Sequence, residues 1–161
     1  MSDRPVRPEA NAADGALARR LIGDAATAAL AVVDAGGHPY AAMTAPAQAT
    51  DGAILILASD LAAHGQALAR DGRFSLLFQE AADPARPLAA ARLTVRGVAG
   101  PAEASDRAAF LARRPEAVRF IDFGDMRLYR LSLRAAHLVA GFGRAVELPP
   151  DMLRPPVDAP G

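Results

Sequence analysis

The chain lacks three residue types on which many enzymes depend: it contains no cysteine, no tryptophan and no lysine. The missing thiols exclude disulfides, iron–sulfur clusters, cysteine-bound zinc and thiolate nucleophiles. All 18 basic residues are therefore arginine. Without an ε-amine, neither Schiff-base catalysis nor a Walker-type phosphate loop is available. None of the serines lies in a Gly-x-Ser-x-Gly context, so any chemistry must come from a cofactor.

The sequence also has no block of like charges and no long apolar run. Acidic and basic residues balance at 18 each, and the arginines form no block of the kind that binds nucleic acid. No apolar run reaches transmembrane length, and residues 1–5 do not resemble a secretory signal. We therefore expect a cytoplasmic protein without nucleic-acid or membrane partners.

What the sequence does have is a globular composition with many short strand patterns. A chain of 161 residues, 52% of them hydrophobic, is enough for one domain with a real core. Turn signals at Gly36-Gly37 and Asp51-Gly52 separate apolar or alternating runs. These runs predict seven strands: Thr27–Asp34, Tyr40–Ala47, Ala53–Ala58, Arg73–Gln79, Ala91–Val98, Arg127–Leu133 and His137–Phe142.

Three helices are predicted before or between these strands. Apolar residues at spacings of three and four predict the first over Ala13–Ala25. The second is expected over residues 60–70 with Ser59 as its N-cap. The third follows Ser105, another N-cap candidate, and is stopped by Pro115.

The order of elements predicts an antiparallel architecture, because consecutive strands joined by short turns pair antiparallel. A turn at residues 134–136 is expected to separate the last two strands. The domain should span residues 12–147, between a tail at 1–11 and a tail at 148–161 whose five prolines disfavour regular structure. The sequence thus predicts a mainly β fold, a small barrel with flanking helices.

Several strings between residues 24 and 145 resemble one known family. They are TAALAVV, GGHPYAA, DGAILILASDLAAHGQAL, RFSLLF, ARLTVRGVA, FIDFGDMRLYRL and HLVAGFGRA. Their order resembles the pyridoxamine 5′-phosphate oxidase-like FMN-binding split-barrel family. Residues 55–78, together with GFGRA, are most similar to the branch that includes haem-utilisation and haem-degrading proteins.

This resemblance implies a six- to seven-stranded antiparallel split β-barrel that pairs into a homodimer. Two barrel faces closing on each other bury roughly 2,000 Å² or more. In the family, FMN occupies grooves at that interface, so the resemblance implies an FMN-binding redox protein. The C-terminal Arg-x-His signature of true pyridoxamine-phosphate oxidases is absent, and that particular activity is not expected.

The resemblance also implies which residues contact the cofactor. They are Met43, Thr44, Ser59, His64, Gln66 and Arg92. The chain departs from the family pattern close by, because alanine replaces the phosphate-gripping arginine at position 42. Positions 63, 65 and 67 likewise lack the basic, threonine and asparagine side chains of relatives. Each lost charge-assisted hydrogen bond to phosphate is worth about 1.5–3 kcal/mol, so FMN affinity is expected to be reduced.

Each candidate has a structural alternative. His64 either binds phosphate at the head of a helix or packs against the barrel rim. Arg92 either reaches the cofactor or lies on the surface, and Ser59 is better suited to a helix cap than to phosphate. His137 is expected to be structural rather than a haem ligand, and Arg144 to belong to a turn near the dimer interface.

Three functions follow from these observations. The leading one is an FMN-dependent redox protein. The second is a haem-binding or haem-handling protein, and the third is a dimer whose flavin site has been lost. No metal site is expected, because Asp122 and Asp125 have no third ligand nearby and suit capping or solvated roles better.

Overall fold

The computed structural model describes residues 8–141 and 143–156. These residues form an antiparallel sheet of 8 strands. The strands are β1 (Ala28–Val33), β2 (Pro39–Thr44), β3 (Ala47–Gln48), β4 (Ile54–Ser59), β5 (Arg73–Gln79), β6 (Arg92–Pro101), β7 (Met126–Val139) and β8 (Ala145–Leu148). The helices are α1 (Ala12–Asp24), α2 (Ala63–Arg70) and α3 (Asp106–Arg113), with 3-10 turns at Pro115–Arg119 and Pro150–Leu153.

The sheet curls into a barrel that is not fully closed. Its strand order is β2-β1-β5-β6-β7-β4-β3, and β8 pairs with β7 outside this path. Although β2 and β4 are far apart in this order, they approach each other in space. The predicted mainly β, split-barrel fold with flanking helices is therefore confirmed.

Alternation along the strands fills the barrel with aliphatic side chains. Leu30 of β1 pairs with Leu76 of β5, which pairs with Val95 of β6. All three side chains have no solvent exposure. Burial of each such side chain stabilises the fold by about 1.5–3 kcal/mol, so the interior of the barrel is its hydrophobic core.

Two helices close the two ends of this barrel. The helix α1 buries Leu21 and Ile22 in the core, and its N-cap Asn11 forms a capping box with Asp14. At the other end α2 inserts Leu68 into the same core. The third helix, α3, instead packs outside the barrel on β3 and β4. None of the helices in the described part of the chain is long and apolar enough to cross a membrane.

The predicted turn at residues 134–136 is wrong, because β7 runs unbroken through it as a 14-residue strand. The register with β6 shifts there: Gly97 pairs with Leu133, whereas Arg96 pairs with Ala135. Arg134 is the extra residue of a β-bulge. The bulge bends the strand enough for one long β7 to replace the predicted hairpin.

The predicted N-cap role of Ser59 is also wrong. Ser59 ends β4, and α2 begins only at Ala63, with Ala62 as an N-cap that makes no side-chain hydrogen bond. Ser105 does stand at the N-cap of α3, but its side chain makes no capping hydrogen bond either. A sequence pattern gives the right residue type for a cap, but tertiary partners decide where the hydroxyl points.

Two further element boundaries differ from the prediction. The strand expected to continue to Ala47 stops at Thr44, since Pro46 cannot donate to a ladder, and β3 resumes pairing after it. The segment after residue 147 was expected to have no regular structure, but β8 extends to Leu148 and a 3-10 turn covers Pro150–Leu153. Leu153 is buried in the core; residues 157–161 lie outside the described part.

Candidate functional site

The outer surface of β2, β1, β5, β6 and the second half of β7 carries mainly small and apolar side chains, and it is here called the open face. Strand alternation turns these residues outward, opposite to the buried core residues. Met43 is 62% exposed and Leu77 is 36% exposed. The open face comprises Ala41, Met43, Ala29, Ala31, Ser75, Leu77, Thr94, Arg96, Ala135 and His137.

One row of the open face lies in continuous register across five strands. Met43 pairs with Ala29, Ala29 with Leu77, and Leu77 with Thr94. Thr94 in turn pairs with His137 of β7. Because directly opposite side chains in a sheet are about 5 Å apart, this row places an imidazole at one end of an apolar strip.

His137 is held by a carboxylate on the neighbouring strand. Its Nδ1 atom lies 3.1 Å from Oε1 of Glu147, which is opposite it in β8. The imidazole side chain keeps 30% of its exposure. A carboxylate at Nδ1 fixes the ring orientation and the tautomer that leaves Nε2 available as a ligand atom.

The residues around the start of α2 are committed to structure. The Ser59 hydroxyl donates to Oδ2 of Asp125 at 2.5 Å and accepts from the backbone N–H of Leu61 at 3.0 Å. The helix lies so close to β4 that a Cβ on Gly65 would meet the Ser59 carbonyl oxygen at 2.0 Å. By accepting the hydrogen bond from Ser59, Asp125 connects the end of β4 to the start of β7.

His64 and Gln66 lie on the first turn of α2. Partial burial lowers the pKa of His64 below its ordinary value. Burial thus disfavours the charged form of this imidazole, which makes it a weaker partner for a phosphate dianion. Gln66 is exposed.

Arg92 points back to its own loop. Its Nη1 donates to the carbonyl oxygens of Leu88 at 2.9 Å and Ala90 at 3.5 Å. Arg92 pairs with Val139 at the end of β7, whereas Ser59 pairs with Met126 at its beginning. At about 3.3 Å per residue, these two candidates lie at opposite ends of a long strand.

The six predicted contact residues therefore do not form one cluster within a protomer. Met43 lies on the open face, but Thr44 turns inward and is buried. Both are at the Arg92 end of the barrel, whereas Ser59 and His64 are at the other end.

Sequence reasoning missed a partly buried ion pair that joins the first helix to the segment before the last strand. Arg144 donates from Nε and Nη2 to the two oxygens of Asp14, at 2.9 and 2.5 Å. Gly141 and Gly143, with φ of 80° and 90°, turn the chain toward α1 just before it. The expectation of a structural role for Arg144 agrees with these contacts.

The acidic residues of the FIDFGDM block serve in structure as well. Asp122 pairs with Arg107 of α3, and Asp125 receives the Ser59 hydroxyl. Among the residues that the structure describes, no group of three or more His, Cys, Asp or Glu side chains is placed to hold a metal ion.

A curled antiparallel sheet with an uncovered outer face and helices at both ends defines a split barrel. The sequence matches the family model described as "CREG, beta-barrel" over residues 8–153. The chain belongs to this CREG β-barrel family, and the predicted resemblance to the split-barrel proteins is confirmed. No curated protein matches the sequence significantly.

Solved structures with the same fold include haem proteins. A haem-binding protein from Mycobacterium smegmatis is 32% identical with a TM-score of 0.80; the match covers 92% of this chain and 61% of that protein. HutZ, the haem storage protein from Vibrio cholerae, is 25% identical with a TM-score of 0.57, covering 72% and 87%. A pyridoxinephosphate oxidase family protein from Clostridium acetobutylicum is 11% identical with a TM-score of 0.68, covering 89% and 99%, which shows the fold alone.

Proposed function

We propose that the protein is a homodimer that binds haem on its open face, with His137 as the iron ligand. The observation that carries this proposal is the pairing of His137 with Glu147 at the edge of an uncovered apolar surface. A haem-binding relative that is 32% identical also supports it. This choice reverses two expectations from the sequence, in which flavin came first and His137 was structural rather than a haem ligand.

The His137–Glu147 pair has the arrangement that proteins use around iron-binding histidines. Such a histidine donates its second ring N–H to a carboxylate or carbonyl, which orients the ring and makes the other nitrogen a stronger donor. Haem bound in this way would supply iron redox and ligand-binding chemistry. The contribution of the chain is to present one imidazole nitrogen beside a surface that an apolar ring covers well.

The open face also supports the homodimer. Contiguous apolar surface of this kind in a soluble protein marks an interaction site. Its small side chains, among them Ala29, Ala31 and Ala41, permit a flat ligand or a flat protein surface to approach closely. A second copy is the occupant that would cover both the face and a ring lying on it.

FMN is the second candidate, and the observation that favours it is His64 on a first helical turn without a side-chain cap. The phosphate of FMN needs strong donors. In this chain Arg92 is engaged with carbonyl oxygens and Ser59 with Asp125. The residues that the resemblance assigns to FMN therefore fit its dianionic end poorly, whereas His137 supplies the nitrogen ligand that an iron porphyrin needs.

A haemin titration of the purified protein tests the proposal. The wild type should shift and sharpen the Soret band with saturation at one haem per chain. His137→Ala should weaken binding at least tenfold and alter the Soret maximum, because the nitrogen that would bind the iron is lost. Glu147→Gln should have a smaller effect in the same direction.

His38→Ala is the matched control, since His38 lies in an exposed hairpin and its side chain is 79% exposed. It should bind haemin like the wild type. An equal loss of haemin affinity in His38→Ala and His137→Ala would refute haem binding through His137. A wild type that leaves the free-haemin spectrum unchanged would refute haem binding altogether. FMN is titrated in parallel: retained flavin that His64→Ala abolishes, without any haemin signal, would establish the second candidate.

The homodimer has its own test. Sedimentation at micromolar concentration should give a dimer for the wild type and a folded monomer for Ala31→Arg, because a charge at the centre of the open face cannot be buried unpaired. Ala112→Arg, on the exposed side of α3, is the control and should remain dimeric. A monomeric wild type would contradict the proposed assembly.

A further inference from the structure

Most arginines in the described part of the chain have a fixed partner. Arg107, Arg127 and Arg144 pair with carboxylates, and others donate to backbone carbonyl oxygens. Among the described residues, by contrast, Arg96 and Arg134 make neither an ion pair nor a side-chain hydrogen bond. Both are exposed.

The β-bulge places these two arginines beside each other. Arg96 of β6 pairs with Ala135, and the extra residue Arg134 lies between Ala135 and the next pair, Gly97 with Leu133. Two residues of a bulged strand face one residue of its neighbour, and neighbouring strands are about 4.8 Å apart. Like charges at such positions destabilise a sheet, so an anionic ligand would relieve their repulsion.

Arg96 belongs to the open face, and Arg134 stands next to Ala135 at its border, so both are close to His137. Thr94, the residue opposite His137, is two positions before Arg96 on β6. Two residues along a strand span about 6.6 Å and point to the same face. An imidazole and two unpaired guanidinium groups therefore border the same apolar surface.

We propose that Arg96 and Arg134 bind the two carboxylates of the porphyrin whose iron His137 holds. This inference rests on the proposed haem binding and adds the residues that orient the ring. Haem is apolar over most of its area and carries both propionate groups on one edge. Arginine pairs with carboxylates through two parallel hydrogen bonds, so the pair determines which edge of the ring points to the bulge.

The test compares haemin with its dimethyl ester, in which both carboxylates are blocked. The wild type should bind haemin at least tenfold more tightly than the ester. Arg96→Gln and Arg134→Gln should each weaken haemin binding about tenfold, since hydrogen bonds between charged groups are the strong class. Neither substitution should change affinity for the ester, nor the Soret maximum that reports the His137 ligand.

Arg119→Gln is the matched control, because Arg119 is also exposed and makes no ion pair or hydrogen bond in the described structure but lies in the 3-10 turn after α3. It should bind both porphyrins like the wild type. If haemin and the ester bind equally through His137, or if Arg119→Gln matches the other two variants, the carboxylate site is refuted while haem binding stands. A wild type that binds neither porphyrin overturns both proposals.

Discussion

Replacing Arg144 with alanine is expected to lower the free energy of unfolding by about 3 kcal/mol. The reason is the environment of its partner, since Asp14 is only 4% exposed and receives both hydrogen bonds from this guanidinium. Without Arg144 the carboxylate keeps only the backbone N–H of Asn11. Arg144 is itself partly exposed, so we place the effect at the low end of the range for a broken buried pair.

The same ion pair gives a pH dependence with a defined sign. The hydrogen bond from Arg144 holds the pKa of Asp14 below its ordinary value. A carboxyl whose pKa is lower in the folded than in the unfolded state contributes stability above its unfolded pKa of about 3.9, and that contribution is lost as the pH falls through the folded value. The difference between wild type and Arg144→Ala should thus be full at pH 7 and shrink below about pH 4.

Urea unfolding of wild type and variant at several pH values measures this difference. Arg154→Ala is the control, because its pairing with Asp151 is distant, at 3.6 Å, and exposed; it should change stability by less than about 0.5 kcal/mol. If the free energy of unfolding falls no more in Arg144→Ala than in the control, the Asp14 contact does not stabilise the fold.

Gly97→Ala is expected to be the second strongly destabilising change, by about 3 kcal/mol. A Cβ at this position would lie 1.9 Å from the Ser132 carbonyl oxygen and 3.1 Å from Cα of Leu133. Both atoms belong to the backbone of β7, which cannot move aside as a flexible side chain would. The substitution must therefore separate β6 from β7 at the bulge.

Gly100→Ala, on the same strand, is the matched control. Nothing lies within 4 Å of a Cβ built there, so it should be close to neutral in thermal unfolding. Equal melting temperatures for the two variants would show that the close approach at Gly97 is not required. If Gly97→Ala folds but binds haemin more weakly, the bulge also sets the position of Arg134.

The strands were predictable because each carries its own pattern. Arg73–Gln79 was predicted with its observed bounds, since alternating Phe74, Leu76 and Phe78 specify one buried face. The bulge at Arg134 was not predictable, because the Arg-Ala-Ala sequence carries no signal that distinguishes a bulge from a turn. The bulge is decided by the pairing of Leu133 with Gly97 on β6, a strand that is distant in the sequence.

The site was less predictable than the fold for a related reason. Ser59 has the right residue type for a helix cap, but Asp125, 66 positions later, takes its hydroxyl. Asp14 and Arg144 are 130 positions apart, and single-sequence patterns report only local neighbours. His137 was visible in the sequence, but Glu147 as its partner required the unpredicted strand β8.

The filled barrel has a consequence for how the protein responds to its own concentration. Leu30, Leu76 and Val95 occupy the interior, and α1 and α2 close its ends, so a ring-shaped ligand cannot enter the barrel. In the proposed homodimer it would lie between the two copies. Ligand uptake and self-association would then be thermodynamically linked, each strengthening the other by the same factor. Dilution of the protein should therefore release haem, and added haem should hold the pair together at concentrations where the empty chains separate.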